Sequence, residues 1–300
     1  MTEERDCYME KTFLPNRASF DAHPERFLLQ YDDLPKSSRK YWKQRYSLFS
    51  KFDEGVYMNK ELWYSVTPEM VAIFIAKFIQ ACDPSVNTVL DVFSGGGGNT
   101  IQMARYFNKV IGVDMNEEHI YCTEKNSEIY GVMDKIELHL AMWPSGINVE
   151  LLSKFQNEVD FVFASPPWGG PGYTANDSFD LTQLEPIPLA DLLRSFFQIS
   201  PNVCLFLPRN SNLDQLSQVT RDLCGETARC RVLYVHSEGY LKGIYAIWGE
   251  KFMPTNQYDT SMSSLDYSVE NSEYSSSTVL DHRNSHEAMN TVESIVGSEY

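Results

Sequence analysis

Cysteine, histidine and positive charge are all scarce in this chain. Of its 300 residues six are cysteine and six histidine, and 25 Lys and Arg face 41 Asp and Glu, for a net charge of −16 at pH 7. Cys7, Cys82, Cys122, Cys204, Cys224 and Cys230 form no Cys-x-x-Cys pair and have no histidines gathered around them, so no metal site is expected and the thiols are expected to be reduced. No long apolar run is present, and Met1 to Asp6 is charged from the outset, so neither a membrane span nor an export leader is expected. The shortage of bases argues against a long electrostatic track for nucleic acid. It is uneven: Pro254 to Tyr300 holds eight acids and one base, Arg283, which puts −7 there and leaves −9 elsewhere. Nucleic acid, if bound, has to be recognised locally.

Against these absences stands a regular alternation of apolar runs and helical patterns from Thr88 onward. Strands are expected near Thr88–Phe93, Lys109–Asp114, Lys135–His139, Val159–Ala164 and Asn202–Leu207, as in a parallel sheet covered on both faces. Ala228–Val235 and Gly243–Trp248 follow closely enough to pair as an antiparallel edge hairpin. The expected fold is α/β: a doubly wound, mostly parallel, seven-stranded Rossmann-like sheet with that hairpin, plus a small helical N-terminal extension.

The first strand runs into Ser94-Gly95-Gly96-Gly97-Gly98-Asn99-Thr100, a glycine turn that lets backbone approach a ligand at a helix N-terminus. Thr100 stands where a dinucleotide fingerprint requires Gly or Ala. Asp91, four residues before Gly95, would repel a pyrophosphate and welcome a cation, while Asp114 at the end of the second strand suits a ribose diol. S-adenosylmethionine carries a ribose, a sulfonium and an ammonium, and fits both acids. The fourth strand ends in Ser165-Pro166-Pro167-Trp168-Gly169-Gly170-Pro171. Two prolines fix the backbone and leave carbonyl acceptors without a competing N–H, and the Trp168 indole offers a flat face to a planar ring. A proline-rich loop with a packing tryptophan would look the same in isolation; beside the glycine turn, the motif reads as a holder for an amino-bearing base.

Over about Lys40 to Lys251 the chain resembles the trimethylguanosine synthases, which methylate the exocyclic amine of the 7-methylguanosine cap of small nuclear and nucleolar RNAs. The resemblance rests on Lys40-Tyr41-Trp42-x-Gln44-Arg45-Tyr46-x-Leu48-Phe49-Ser50-x-Phe52-Asp53-x-Gly55, Trp63 to Glu69, Gly97 to Gln102, Asn126 to Gly131, Ser165 to Pro171 with Tyr173, and Leu207 to Asn210. It implies the methyltransferase variant of the doubly wound fold, S-adenosylmethionine as cofactor, and a donor pocket built from Thr67, Asp91, Phe93, Gly95, Gly97, Asn99, Thr100, Asp114 and Trp143. Ser165, Pro166 and Trp168 are the implied catalytic residues. Asn126, Ser165, Pro167 and Trp168 would hold the base or ribose, with Tyr173, Arg209 and Lys242 on the triphosphate bridge. Implied partners are 7-methylguanosine-capped small nuclear and nucleolar RNA and RNP core proteins, for a monomer in the nucleus, its nucleolus and the cytoplasm. Three positions depart from the pattern: Ala141-Met142-Trp143 replaces an acid-aromatic pair after the third strand, Tyr57 replaces a phosphate-contacting lysine with Lys60 nearby, and Gly172 replaces an acid.

The chain divides at residues 36, 84 and 254. Residues 1–35 have no sustained period and are expected to be loosely ordered. Residues 36–83 form a helical subdomain: Lys36 to Lys51 carries six bases and no acid, Trp42, Tyr46 and Phe49 fall at helical spacing, and Thr67 caps a helix beginning at Pro68. The bases face either solvent or RNA phosphates. Residues 84–253 are the methyltransferase domain, and 254–300, with eleven serines, an acidic disordered tail. Two other functions remain open: a methyltransferase for adenine N6 or protein glutamine, and a noncatalytic cap-binding module.

Overall fold

The computed structural model describes residues 12–170, 177–237, 240–254 and 291–297. Four short helices lead the chain, α1 (Arg17–Ala22), α2 (Arg39–Trp42), α3 (Arg45–Leu48) and α4 (Leu62–Ser65), followed by the longer α5 (Glu69–Cys82). The sheet then begins: β1 (Thr88–Val92), α6 (Gly98–Ala104), β2 (Lys109–Asp114), α7 (Glu117–Tyr130), β3 (Ile136–Leu140), α8 (Val149–Glu158), β4 (Phe161–Ala164), α9 (Leu189–Phe197), β5 (Val203–Leu207), α10 (Leu213–Cys224), β6 (Arg229–Ser237) and β7 (Tyr240–Trp248). Seven strands thus lie within two or three residues of the expected ranges.

An eighth strand, β8 (Thr291–Gly297), pairs antiparallel with β6 and completes the order β3-β2-β1-β4-β5-β7-β6-β8. The sequence led us to expect no strand beyond residue 254; residues 255–290 and 298–300 lie outside the described residues. β1 to β5 run parallel, and β7 is antiparallel to both β5 and β6. The parallel strands are apolar on both faces because helices cover both. Val89, Val110, Phe161 and Phe163 pack toward α5, α6 and α7, and their neighbours Leu90, Ile111 and Val162 toward α8, α9 and α10.

Two expectations about the N-terminal third are corrected. Residues 12–35 pack against α7: Arg17 makes a two-pronged pair with buried Glu124 at 2.6 and 2.7 Å, Phe20 and Phe27 close on Tyr121, and both phenylalanines are buried. Burying two such rings is worth about 3–6 kcal/mol before ordering costs. The anchors are spaced by short turns with no sustained period, so no local pattern announces them. Lys36 to Lys51 is two helical turns with a break at Lys43-Gln44, which puts Phe49 in the core, stacks Trp42 on Trp63 and leaves Tyr46 exposed. Arg45 lies 5.0 Å from the Trp42 ring centre and 4.2 Å from that of Tyr46, and Arg39 donates to the Leu34 carbonyl, so these two bases are spent on holding the subdomain together.

Candidate active site

In an open α/β sheet, ligands bind where strand order reverses, at the carboxyl ends of the strands. Here that point lies between β1 and β4. Their register pairs Val92 with Ala164, so the glycine turn leaving β1 at Phe93 and the proline turn leaving β4 at Ser165 emerge side by side.

The glycine turn is strained and tightly enclosed. Phe93 has φ 68°, a left-handed value that a bulky residue seldom adopts, and Gly97, with φ 88°, caps α6. On one side the turn is walled by the N-terminal subdomain. A Cβ at Gly96 would sit 2.9 Å from Leu62 Cδ1, and one at Gly98 would sit 3.2 Å from the Thr67 carbonyl oxygen. On the other side it is held by α7. Thr123 Oγ1 donates to the Gly95 carbonyl at 2.7 Å, and Asn126 Nδ2 donates to the Gly96 carbonyl at 2.9 Å.

Asp91 is fully buried beneath the turn, where Oδ2 accepts from Thr100 Oγ1 at 2.5 Å and Oδ1 has no partner. Burial, opposed by the Thr100 hydrogen bond and aided by the charge of Asp114, pushes its carboxyl up to about 7. Ser94 Oγ and Asn99 Oδ1 are likewise buried and unpartnered, while Asn99 Nδ2 donates to Thr67 Oγ1. A buried carboxylate oxygen, an amide oxygen and a hydroxyl, all unsatisfied around one turn, are what a ligand with an ammonium group would satisfy. Asp114 accepts from the Gly95 N–H at 2.9 Å and the Asn116 N–H at 2.8 Å, which fixes its carboxylate with lone pairs remaining for a diol. These residues fit S-adenosylmethionine.

On the acceptor side, Pro166 is buried and Ser165 half-buried. The Trp168 indole donates its N–H to the Phe206 carbonyl at 3.3 Å and tilts onto the Phe206 ring, a half-buried plate held by one edge. Arg209, two residues past β5, donates to the Leu241 carbonyl beside Lys242, so both bases stand at the same carboxyl end of the sheet. Tyr173 lies outside the described residues.

Three candidates are corrected. Thr67 is not the cap of α5: Pro68 holds that position, and the Thr67 hydroxyl is an acceptor for Asn99. Asn126 has no atom at the surface. Its Oδ1 accepts from the Tyr57 N–H, and its Nδ2 donates to the carbonyls of Tyr57 and Gly96. With both donors used internally it clamps residue 57 to the glycine turn and is not available to read a base. Trp143 is buried, donates its N–H to Ser195 Oγ and packs between Phe155 and Phe196, so its ring faces the core beneath the sheet and not a ligand.

The sequence reading named Asn126 but not the polar face of α7 to which it belongs. His119, Thr123, Asn126 and Tyr130 occur at i, i+4, i+7 and i+11 and bond respectively to Asp114, Gly95, Gly96 and Glu69. That spacing of polar residues on a helix expected to bury one face was the available signal.

A glycine turn over a buried carboxylate, a diol-ready acid on the second strand and an aromatic plate across the switch point define an S-adenosylmethionine-dependent methyltransferase of the doubly wound class. The fold resembles a crystal structure from Porphyromonas gingivalis W83 described as that of a methyltransferase, with a TM-score of 0.53 over 76% of this chain and 54% of that one at 15% identity. A profile of RNA cap guanine-N2 methyltransferases matches residues 86–251. The chain is 54% identical over 215 residues to the trimethylguanosine synthase of Saccharomyces cerevisiae, covering 71% of this chain and 68% of that protein. It is 39% identical over 188 residues to the trimethylguanosine synthase of Schizosaccharomyces pombe, covering 61% and 76%. The chain belongs to the RNA cap guanine-N2 methyltransferases, and its methyl donor is S-adenosylmethionine.

Proposed function

We propose that the protein adds two methyl groups in turn to the exocyclic N2 of a 7-methylguanosine cap, producing the 2,2,7-trimethylguanosine cap of small nuclear and nucleolar RNAs. The observation that carries this reading is the β1–β4 register, which brings the donor turn at Phe93 level with the acceptor turn at Ser165. The naming of the two yeast relatives supports the substrate.

When bound, S-adenosylmethionine supplies an electrophilic methyl group. The work of the chain is placement. Asp91 Oδ1 takes the ammonium group, and Asp114 takes the ribose diol. Trp168 stacks on the guanine, whose charge after N7 methylation strengthens the contact. Ser165 Oγ and the Pro166 carbonyl accept from the amine, hold its nitrogen in line and keep lone-pair density on it. Arg209, Lys242 and Tyr173 take the triphosphate. The amine proton becomes acidic as the new bond forms and leaves to water, so positioning and charge placement carry the rate.

This is a nuclear RNA-processing activity, with capped RNA and RNP core proteins as partners. The test is transfer from labelled donor to 7-methylguanosine and unmethylated cap analogues side by side, with products resolved by mass. Singly and doubly methylated products from the 7-methylated analogue alone are expected. Equal use of the unmethylated analogue, or transfer to adenine N6 or a glutamine peptide instead, would overturn the proposal.

A further inference from the structure

His119 lies in the first turn of α7, 9% exposed, between carboxylates from three places in the chain. Its Nδ1 is 3.4 Å from Asp114 Oδ1 at the end of β2. Its Nε2 is buried without a hydrogen-bond partner and stands 3.7 Å from Glu61 Oε2 in the turn before α4. Glu118, its neighbour on α7, is engaged from the N-terminal segment by Arg26 at 2.9 Å and Asn59 at 3.0 Å. Asp114 is the carboxylate held against the glycine turn, and Glu61 immediately precedes Leu62, the residue that walls that turn.

We propose that His119 is a positioning residue for donor binding: as an imidazolium it bridges Asp114 to Glu61, and so locks the ribose-binding carboxylate and the N-terminal wall of the donor turn into one arrangement. This rests on the assignment of Asp114 to the donor ribose. A neutral imidazole carries one N–H. With the proton on Nδ1 it serves Asp114 and turns a lone pair toward Glu61; with the proton on Nε2 it does the reverse. Only the protonated ring serves both acids. Burial by itself would lower the basicity of His119, but the hydrogen bond and charge of Asp114, with Glu61 and Glu118 behind it, outweigh burial and raise it. The bridge is therefore present below that raised value and is lost as pH rises past it.

The test is the affinity of the full chain for S-adenosylmethionine between pH 6 and pH 9, by calorimetry, in the wild type, His119→Gln and His119→Lys. Expected are a several-fold weakening of wild-type binding as pH rises through the His119 titration, a His119→Gln protein that is several-fold weaker on the acid side of that titration and shows no such loss, and recovery of that affinity by the permanently charged His119→Lys. In the wild type, the His119 ring resonance should titrate above free histidine and move further up with donor bound, because linkage is reciprocal. If His119→Gln keeps the wild-type alkaline loss, or the resonance titrates at or below free histidine, the bridge is refuted. The ribose assignment has its own test: Asp114→Asn with unchanged donor affinity sinks that assignment. Asp114→Asn that loses the donor while His119→Gln keeps the wild-type profile sinks only the proposal for His119.

Discussion

Donor binding should expel a proton from Asp91. In the donor-free protein this carboxyl is wholly buried, with one oxygen unpartnered, and its pKa is about 7. The donor ammonium group needs the carboxylate, so binding draws the group back toward the ordinary range of acids. At pH 6 the carboxylate fraction is about one tenth, so the apparent Kd is about tenfold weaker than its plateau, and it weakens about tenfold more for each further unit of acid. Proton release at pH 6 is then about 0.9 per donor bound, and at pH 8 about 0.1. Calorimetry in two buffers of different ionisation heat reads that number directly from the difference in observed enthalpy. Asp91→Asn should abolish the release and bind donor about 10–100-fold more weakly at pH 8, having lost a charged hydrogen bond. Stability carries the same signature with the sign of a raised acid: the Asp91 contribution in the donor-free protein is intact below about pH 4 and is lost as pH rises to about 7, on the order of 4 kcal/mol at most. The donor restores it. Binding heats that do not depend on the buffer at pH 6, with affinity flat between pH 5.5 and 8, would refute the reasoning.

Other substitutions separate architecture from chemistry. Asn126→Ala removes three hydrogen bonds, that to the Gly96 carbonyl wholly buried, and should cost about 3 kcal/mol of unfolding free energy, read by denaturant titration; donor affinity should fall with it because the Gly96 carbonyl loses its anchor. Trp168→Ala should weaken 7-methylguanosine cap binding far more than donor binding, and Trp168→Phe should keep part of it, both measured by fluorescence or calorimetry with each ligand separately. Glu124→Ala leaves Arg17 beside an emptied, buried acid site, so the segment from Thr12 to Leu34 should become the first point of protease cleavage, with about 3 kcal/mol lost overall.

The sheet was legible because its strands are buried on both faces and announce themselves as apolar runs between turns. Val159–Ala164 was expected as a strand and β4 occupies Phe161–Ala164; Asn202–Leu207 was expected and β5 occupies Val203–Leu207. The placement of Asp91 and Asp114 against the glycine turn was legible too, because strand, turn and second strand follow one another at the spacing of a doubly wound unit. Asn126 and Trp143 misled because residue type does not say which way a side chain points. An asparagine can spend all its hydrogen bonds on backbone, and a tryptophan after β3 can turn inward onto Phe155 and Phe196. The docking of Thr12–Leu34 was illegible because its anchors, Arg17, Phe20 and Phe27, act singly across long sequence separations and produce no local period. His119 was passed over because an isolated histidine acquires meaning only from the acids that the fold gathers around it.

The packing of Leu62 and Thr67 against the glycine turn separates two kinds of boundary that usually coincide. A chain beginning near residue 84 would retain every strand of the sheet, together with Asp91, Asp114 and Trp168, but would lose α5, whose Val71, Phe74, Ile75 and Phe78 cover one of its faces. It would lack the wall that sets the curvature of the donor turn. The boundary at residue 84 is thus one of sequence pattern alone, and neither the packed core nor the donor site stops there. Exchanging residues 36–83 between members of the family should accordingly transfer donor affinity while every sheet-borne donor residue stays the same.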